Sequence, residues 1–304
     1  MSDWQLTTPV AFLIFKRPDT TEKVFERIRQ AKPPKLLVVA DGHRDRIGEA
    51  EKCAATRAII DRVDWECEVL TKYSEVNLGC KRSVSEGLDW VFTQVEEAII
   101  LEDDCLPHPT FFRFCEELLI RYRNDERVMS INGTNLLRKW KSNIQSYSFS
   151  NYFHCWGWAT WRRVWQQYDV EMKLWSQPHY QEKVRNVLAS DRQFFNRKRH
   201  LDRTYAGEID SWDYQFFFLC LANAGLSIRP SVNLISNIGF GEDSTHTVRP
   251  DDDRSNLPTT AMSFPLQHPP VAIDRRRDRK EYRKFWEFNL RKRIVSKVKK
   301  LIAS

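Results

Sequence analysis

No stretch of the sequence is long and apolar enough to read as a membrane-spanning helix. Its start, "MSDWQLTTPV", lacks the charged-then-apolar pattern of a secretory signal, so a cytoplasmic location is expected. The cysteines (Cys53, Cys67, Cys80, Cys105, Cys115, Cys155 and Cys220) are odd in number, scattered, and never spaced Cys-x-x-Cys. That argues against a disulfide framework and against a cysteine zinc site, and for a reducing compartment. Internal repeats and low-complexity tracts are missing too. What is there is ordinary for a globular protein: 304 residues, 41% hydrophobic and 29% charged.

Basic charge is scarce where a nucleic-acid binder would need it. From Arg275 onward 13 Lys/Arg face three acids, a net of +10, which leaves residues 1–274 at −3 of the total +7. The body is therefore a poor candidate for gripping nucleic acid, and only the tail is basic.

The first half alternates short β-branched apolar runs with longer mixed ones. "VAFLIF" (10–15), "LLVVA" (36–40), "CEVLTKY" (67–73) and "AIIL" (98–101) read as strands, and "TTEKVFERIRQA", "IGEAEKCAATRAIIDRV" and "KRSVSEGLDWVFTQV" as helices between them. Such alternation predicts an α/β fold with a mostly parallel sheet flanked by helices. Ligands of such sheets bind beyond the carboxyl ends of the strands. After residue 134 the pattern changes to a tryptophan-dense segment, "FHCWGWATWRRVWQQY". A helix-like "DSWDYQFFFLCLANAG", a strand-like "LSIRPSVNLI" and a long polar stretch beginning "SNIGFGEDSTHT" follow. A polar loop of that length suggests either a functional lid or a disordered segment. The expected organisation is a domain over 1–270, with a nucleotide-binding half (1–134) and an acceptor half (135–270), and a helical tail over 271–304.

Three carboxylates, Glu102, Asp103 and Asp104, end the "AIIL" run. They repel one another, so the arrangement calls for a positive partner. A hard divalent ion shared with substrate phosphates is one answer, and three solvated acids on a turn is the other. The "DDD" at 251–253 follows no buried strand and reads as solvated. Asp41, in "VVADGHRD", either meets a ligand or caps a turn. Asp213 is either a catalytic carboxylate or a helix-start acid. Trp161 and Trp165 are expected in the core, whereas Trp156 and Trp158, flanking Gly157, could wall a sugar ring.

Taken together, "FLIFKRPDTTEKVFERI", "VVADGHRD", "NLGCKRSVSEGLDWVF", "AIILEDDCLPHPTFFRFCEELLIRY", "GWATWRRVW", "SWDYQ" and "SIRP" resemble the GT-A type nucleotide-sugar glycosyltransferases. The closest likeness is to the N-acetylglucosaminyltransferase I family and its bacterial relatives. The resemblance spans most of residues 9–247. It implies a UDP-sugar donor, Mn²⁺ (or Mg²⁺), a saccharide or lipid-linked acceptor, and inversion. Asp104 would ligate the metal, Glu102 and Asp103 would orient the donor's ribose and sugar, and Asp41 would accept the uracil N3–H. Arg17 would sit near the nucleotide, and Lys81 or Arg82 near the donor. Asp213 would be the general base; the family has two adjacent acids there, this chain has Asp213 then Tyr214, and Asp210 is a rival. His246 would approach the diphosphate or metal as the loop closes.

Such chemistry needs the leaving diphosphate neutralised, a base near the acceptor hydroxyl, and water excluded. A nucleotidyltransferase would instead need a glycine-rich phosphate loop after the first strand, and "FKRPDTTEK" has no glycine. A non-catalytic scaffold with the same fold is the third possibility. The tail's apolar positions, Tyr282, Phe285, Trp286, Leu290, Ile294, Val298, Leu301 and Ile302, follow a helical stripe among Lys/Arg. That fits either a membrane-surface anchor, which would suit a lipid-linked acceptor, or a helix packed on the domain.

Overall fold

The computed structural model describes residues 4–240 and 253–287. Among the described residues there are ten strands: β1 (Val10–Ile14), β2 (Lys35–Ala40), β3 (Glu68–Tyr73), β4 (Glu97–Glu102), β5 (Cys105–Pro107), β6 (Val128–Asn132), β7 (Tyr147–Ser150), β8 (Trp158–Trp161), β9 (Leu226–Pro230) and β10 (Ile235–Asn237). Helices α1 (Pro18–Ala31), α2 (Glu49–Ala58), α3 (Gly79–Gln94), α4 (Thr110–Tyr122), α5 (Arg162–Trp165), α6 (Pro178–Val187), α7 (Asp191–Tyr205), α8 (Asp213–Ala222) and α9 (Arg275–Phe285) lie between and after them.

The main sheet has eight strands in the order β3-β2-β1-β4-β8-β6-β9-β7. Strands β3, β2, β1 and β4 are parallel; β8 enters antiparallel between β4 and β6, and β7 closes the edge antiparallel to β9. The α/β architecture with a mostly parallel sheet is thus as expected. The apolar runs of β1 and β2 are buried on both faces because helices cover both sides. A second ribbon pairs β5 with β10 antiparallel, just past the acidic triplet.

One feature departs from the sequence pattern. The tryptophan-dense segment supplies a central strand, β8, whose Trp158 and Trp161 are buried on opposite faces. The sheet runs without a break across residue 134, since β6 pairs with both β8 and β9.

The start of the tail is part of the same body. Asp274 caps α9, Ile273 bridges to Phe149, and Asp278 accepts from Ser150 Oγ (2.6 Å) and the Asn151 N–H (3.1 Å). Glu281 is fully buried, accepts from Arg229 (3.3 Å) and His154 Nε2 (2.8 Å), and forms an ion pair with Arg277 (3.0 Å). For residues 271–287 the packed alternative is the one observed. Leu290, Ile294, Val298, Leu301 and Ile302 lie outside the described residues. Among the described residues no helix is long and apolar enough to cross a membrane.

Candidate active site

The chain reverses its direction of travel across the sheet between β1 and β4. β2 and β3 build outward from one side of β1, and β4 pairs on the other. Such a switch point opens a crevice at the strands' carboxyl ends. Arg17 follows β1 there, and Glu102 ends β4 with Asp103 and Asp104 directly after it.

Local sequence fixes Arg17. Pro18 opens α1, which suits the first helical position and holds the preceding residue out of the helical region. Arg17 has φ −115° and ψ 76°, and its carbonyl accepts from Thr21 Oγ1 at 2.7 Å. Its guanidinium then reaches across the switch point to two acids, hydrogen-bonding Asp103 and pairing with Asp104 Oδ2 at 2.9 Å. Asp103 also accepts from the Phe15 N–H (3.2 Å). The positive partner that the triplet calls for is thus, in part, an arginine of the chain itself.

One cation does not balance three carboxylates. Burial pushes the Glu102 carboxyl well above its usual range, with further pushes from Asp104 and Asp103 and a smaller downward pull from Arg17. Asp103 is raised as well, by burial against the opposing pull of Arg17. Among the described residues no hydrogen bond reaches the Glu102 side chain. No group of three or more His, Cys, Asp or Glu among them is arranged to hold a metal on its own.

Glu102, Asp104 and Arg17 line a cavity of about 460 Å³, within the range of small-molecule sites. Asp213 lines the same cavity, at the first position of α8, with the Ser211 hydroxyl donating to it. Asp213's charge is among those that raise Glu102, so the two sites are electrostatically in touch. Trp156, Cys80, Cys155 and Asn237 also line it. The strand β10 lies over it. The Ile238 N–H donates to the Asp104 carbonyl (2.9 Å), and Gly239 comes so close that a Cβ there would stand 2.1 Å from Asp104 Oδ2 and 2.5 Å from Arg17 Nη1. The glycine of "IGFG" serves close approach.

Other expected site residues are placed differently. Asp41 is buried, and its two oxygens accept from the Gly42, Leu78 and Gly79 N–H groups and Asn77 Nδ2, at 2.8–3.2 Å. Through these four donors Asp41 ties β2 to the start of α3. Asp210 is outside the cavity lining and accepts from the Cys80 (3.2 Å) and Lys81 (3.0 Å) N–H groups. It therefore caps α3 from a distance of 130 residues along the chain. Lys81 pairs with Glu171 and Arg82 is exposed; neither lines the cavity. Trp158 is fully buried, stacked on Trp212 (5.4 Å, 22°), so it is core; of the pair flanking Gly157, Trp156 is the one that lines the cavity. Gly157 (φ +59°) backs onto Ile235, leaving no room for a Cβ. Trp161 and Trp165 are core as expected. His246 lies outside the described residues.

The same cavity is also lined by His154, Arg197, Tyr214, Phe217, Arg254 and Trp286. The sequence pattern gave no hint of Arg197 or of Trp286 as a wall. The signal available was only that α7 is rich in arginine and that the tail carries aromatics.

No family model and no curated protein matches the chain. Among solved structures it is similar to a mannosyltransferase from Pyrobaculum calidifontis in complex with GDP-Man and Mn²⁺ (TM-score 0.41, 12% identity, covering 72% of this chain and 70% of that one). It is also similar to residues 1–349 of S. aureus TarS (0.37, 8%, 55% and 52%) and to a UDP-glucose pyrophosphorylase complexed with UDP-glucose (0.31, 10%, 53% and 79%). Likeness at this level says nothing about activity, which has to come from the site.

Proposed function

We propose that the chain is a GT-A type glycosyltransferase that moves a sugar from a UDP-sugar to a saccharide or lipid-linked acceptor, with inversion and with Mn²⁺ or Mg²⁺. The observation that supports it is the crowding of three acids around one arginine at the β1/β4 switch point, in a cavity shared with a separate carboxylate, Asp213. The residual negative charge suits a hard cation held by one or two carboxylates and completed by phosphates, rather than a closed protein cage. Asp104 and Glu102 would hold it. When bound, such an ion neutralises the departing diphosphate.

The chain's own residues would do the rest. Arg17 fixes the geometry of Asp103 and Asp104 and brings a positive charge to the nucleotide side. Asp213, aided by the Ser211 hydroxyl, takes the acceptor proton; Asp210 is committed to α3 and Asp41 to the 77–79 turn. Trp156 offers an apolar face to the sugar. The β1–α1 connection, Phe15–Arg17, has no glycine, which disfavours a nucleotidyltransferase.

The test is a melting-temperature series with UDP, GDP, CDP and dTDP, each with Mn²⁺ or EDTA, since a ligand of the folded state raises the melting point by mass action. A rise with UDP and Mn²⁺, lost in EDTA and in Asp104→Ala, is expected. Asp213→Asn should keep that rise while lowering transfer by about 10²–10⁴-fold. A rise with another nucleotide overturns the donor, and no rise with any overturns the enzyme assignment in favour of a scaffold.

A further inference from the structure

The same cavity holds an arginine that no carboxylate among the described residues pairs with. Arg197, on α7, lies over three rings, with its guanidinium carbon 4.8 Å from the Trp286 centroid, 5.1 Å from Phe217 and 5.4 Å from Tyr152. Its Nε is buried without a hydrogen-bond partner, and among the described residues no carboxylate pairs with it. Glu281, the carboxylate closest in influence, is committed to Arg229, Arg277 and His154. Burial pulls the Arg197 guanidinium below its usual pKa.

A desolvated cation left uncompensated is costly, and ring faces offset only part of that cost. Stacking occupies the flat faces of a guanidinium and leaves its N–H edge, the part that grips a carboxylate or phosphate in a fork. Arg197 lines the cavity that also contains Asp213. Tyr214, the neighbour of Asp213, lines the cavity too and feels both charges.

We propose that Arg197, framed by Tyr152, Phe217 and Trp286, is a subsite for an anionic group, a carboxylate or a phosphate, carried by the acceptor sugar. This rests on the glycosyltransferase assignment for the word acceptor, but the anion site does not. The acceptor would then be an acidic saccharide, held by its charge at one end and presenting a hydroxyl to Asp213 at the other. Trp286 comes from the tail, so the tail contributes to acceptor choice.

The experiment titrates the full chain, by ligand-observed NMR, with methyl β-D-glucuronide, methyl β-D-glucoside and glucose 6-phosphate, with and without saturating UDP and Mn²⁺. The expected result is that at least one anionic sugar binds about tenfold or more tighter than the neutral glucoside. Which anion wins separates carboxylate from phosphate. Arg197→Met should erase the preference while leaving the melting shift with UDP and Mn²⁺ intact, and Arg197→Lys should keep part of it. Equal binding of the charged and neutral sugars by the unaltered protein, or a preference that survives Arg197→Met, overturns the proposal. Displacement of the anionic sugar by UDP also overturns it, because the arginine would then belong to the donor's diphosphate. Anionic-sugar binding without any UDP response would keep the anion site and remove the glycosyltransferase assignment.

Discussion

Replacing Arg17 with Met tests the electrostatic design of the switch point. The substitution keeps most of the apolar stem and removes the charge that two buried acids share. The Arg17 side chain is 20% exposed, Asp103 4% and Asp104 9%, so solvent cannot take over the guanidinium's part. Removing one partner of a buried pair costs about 3–5 kcal/mol, and the lower end applies here because the site opens on a cavity. At about 2 °C per kcal/mol for a chain of this size, the melting point should fall by about 6 °C at pH 7.5. The loss should shrink as pH falls toward 5. Burial already raises Glu102 and Asp103, and without Arg17 they rise further, so protons relieve the repulsion that the arginine relieved. Mn²⁺ should recover more stability in the variant than in the parent, since the same three acids then face no internal cation. Scanning calorimetry at the two pH values, with and without Mn²⁺, reads all of this. A loss below about 1 kcal/mol, the worth of an exposed pair, with no pH dependence, would refute the reasoning.

Three further outcomes follow from the geometry. Gly239→Ala should weaken the UDP–Mn²⁺ melting shift and lower stability by about 1–3 kcal/mol, because its Cβ would overlap Asp104 and Arg17; an unchanged nucleotide response would show that β10 does not hold the site. Glu281→Gln should destabilise by about 3–5 kcal/mol, seen as a lower denaturation midpoint, by leaving Arg229 and Arg277 unbalanced in the core. Asp278 is lifted by burial to about 6, against the pull of the Ser150 hydrogen bond and Arg277, so the folded state binds its proton more tightly than the unfolded chain does. Its contribution is therefore present at pH below about 4 and lost as pH rises through about 6, a swing of about 3 kcal/mol. Asp278→Asn should flatten that part of the stability–pH curve measured by urea denaturation; an unaltered slope would count against it.

How much of this was written in residue order varies by element. The β1, β2 and β4 strands are legible because burial on both faces leaves nearly continuous apolar runs, and the acidic triplet is legible because it interrupts one. Strand β8 is not. Trp158, Trp161 and Trp165 recur at helical spacing, and a strand buried on both faces carries no alternation to contradict it. Asp210 and Asp213 look alike in the string "EIDSWDYQ"; only the fold shows that one caps a helix distant in sequence while the other faces the cavity. Asp41 is similar, since sequence does not place the backbone N–H groups of residues 78 and 79 that its carboxylate accepts from.

The tail illustrates the same limit from the other side. A stripe of aromatics among Lys and Arg predicts an amphipathic helix, and α9 is one, but periodicity cannot say what covers the stripe. Here the answer depends on charge pairing across distant segments. Arg229 on β9 is fully buried and would be uncompensated without Glu281 on α9, while Asp278 closes the β7 edge through Ser150 and Asn151. Docking α9 therefore satisfies groups of the sheet itself, and it brings Trp286 against Tyr152 and Arg197 at the cavity wall. A segment that composition sets apart as a basic appendage thus completes both the core and the candidate acceptor end of the site. Loss of the 271–287 segment should consequently reduce stability and sugar discrimination together, whereas loss of a mere appendage would alter neither.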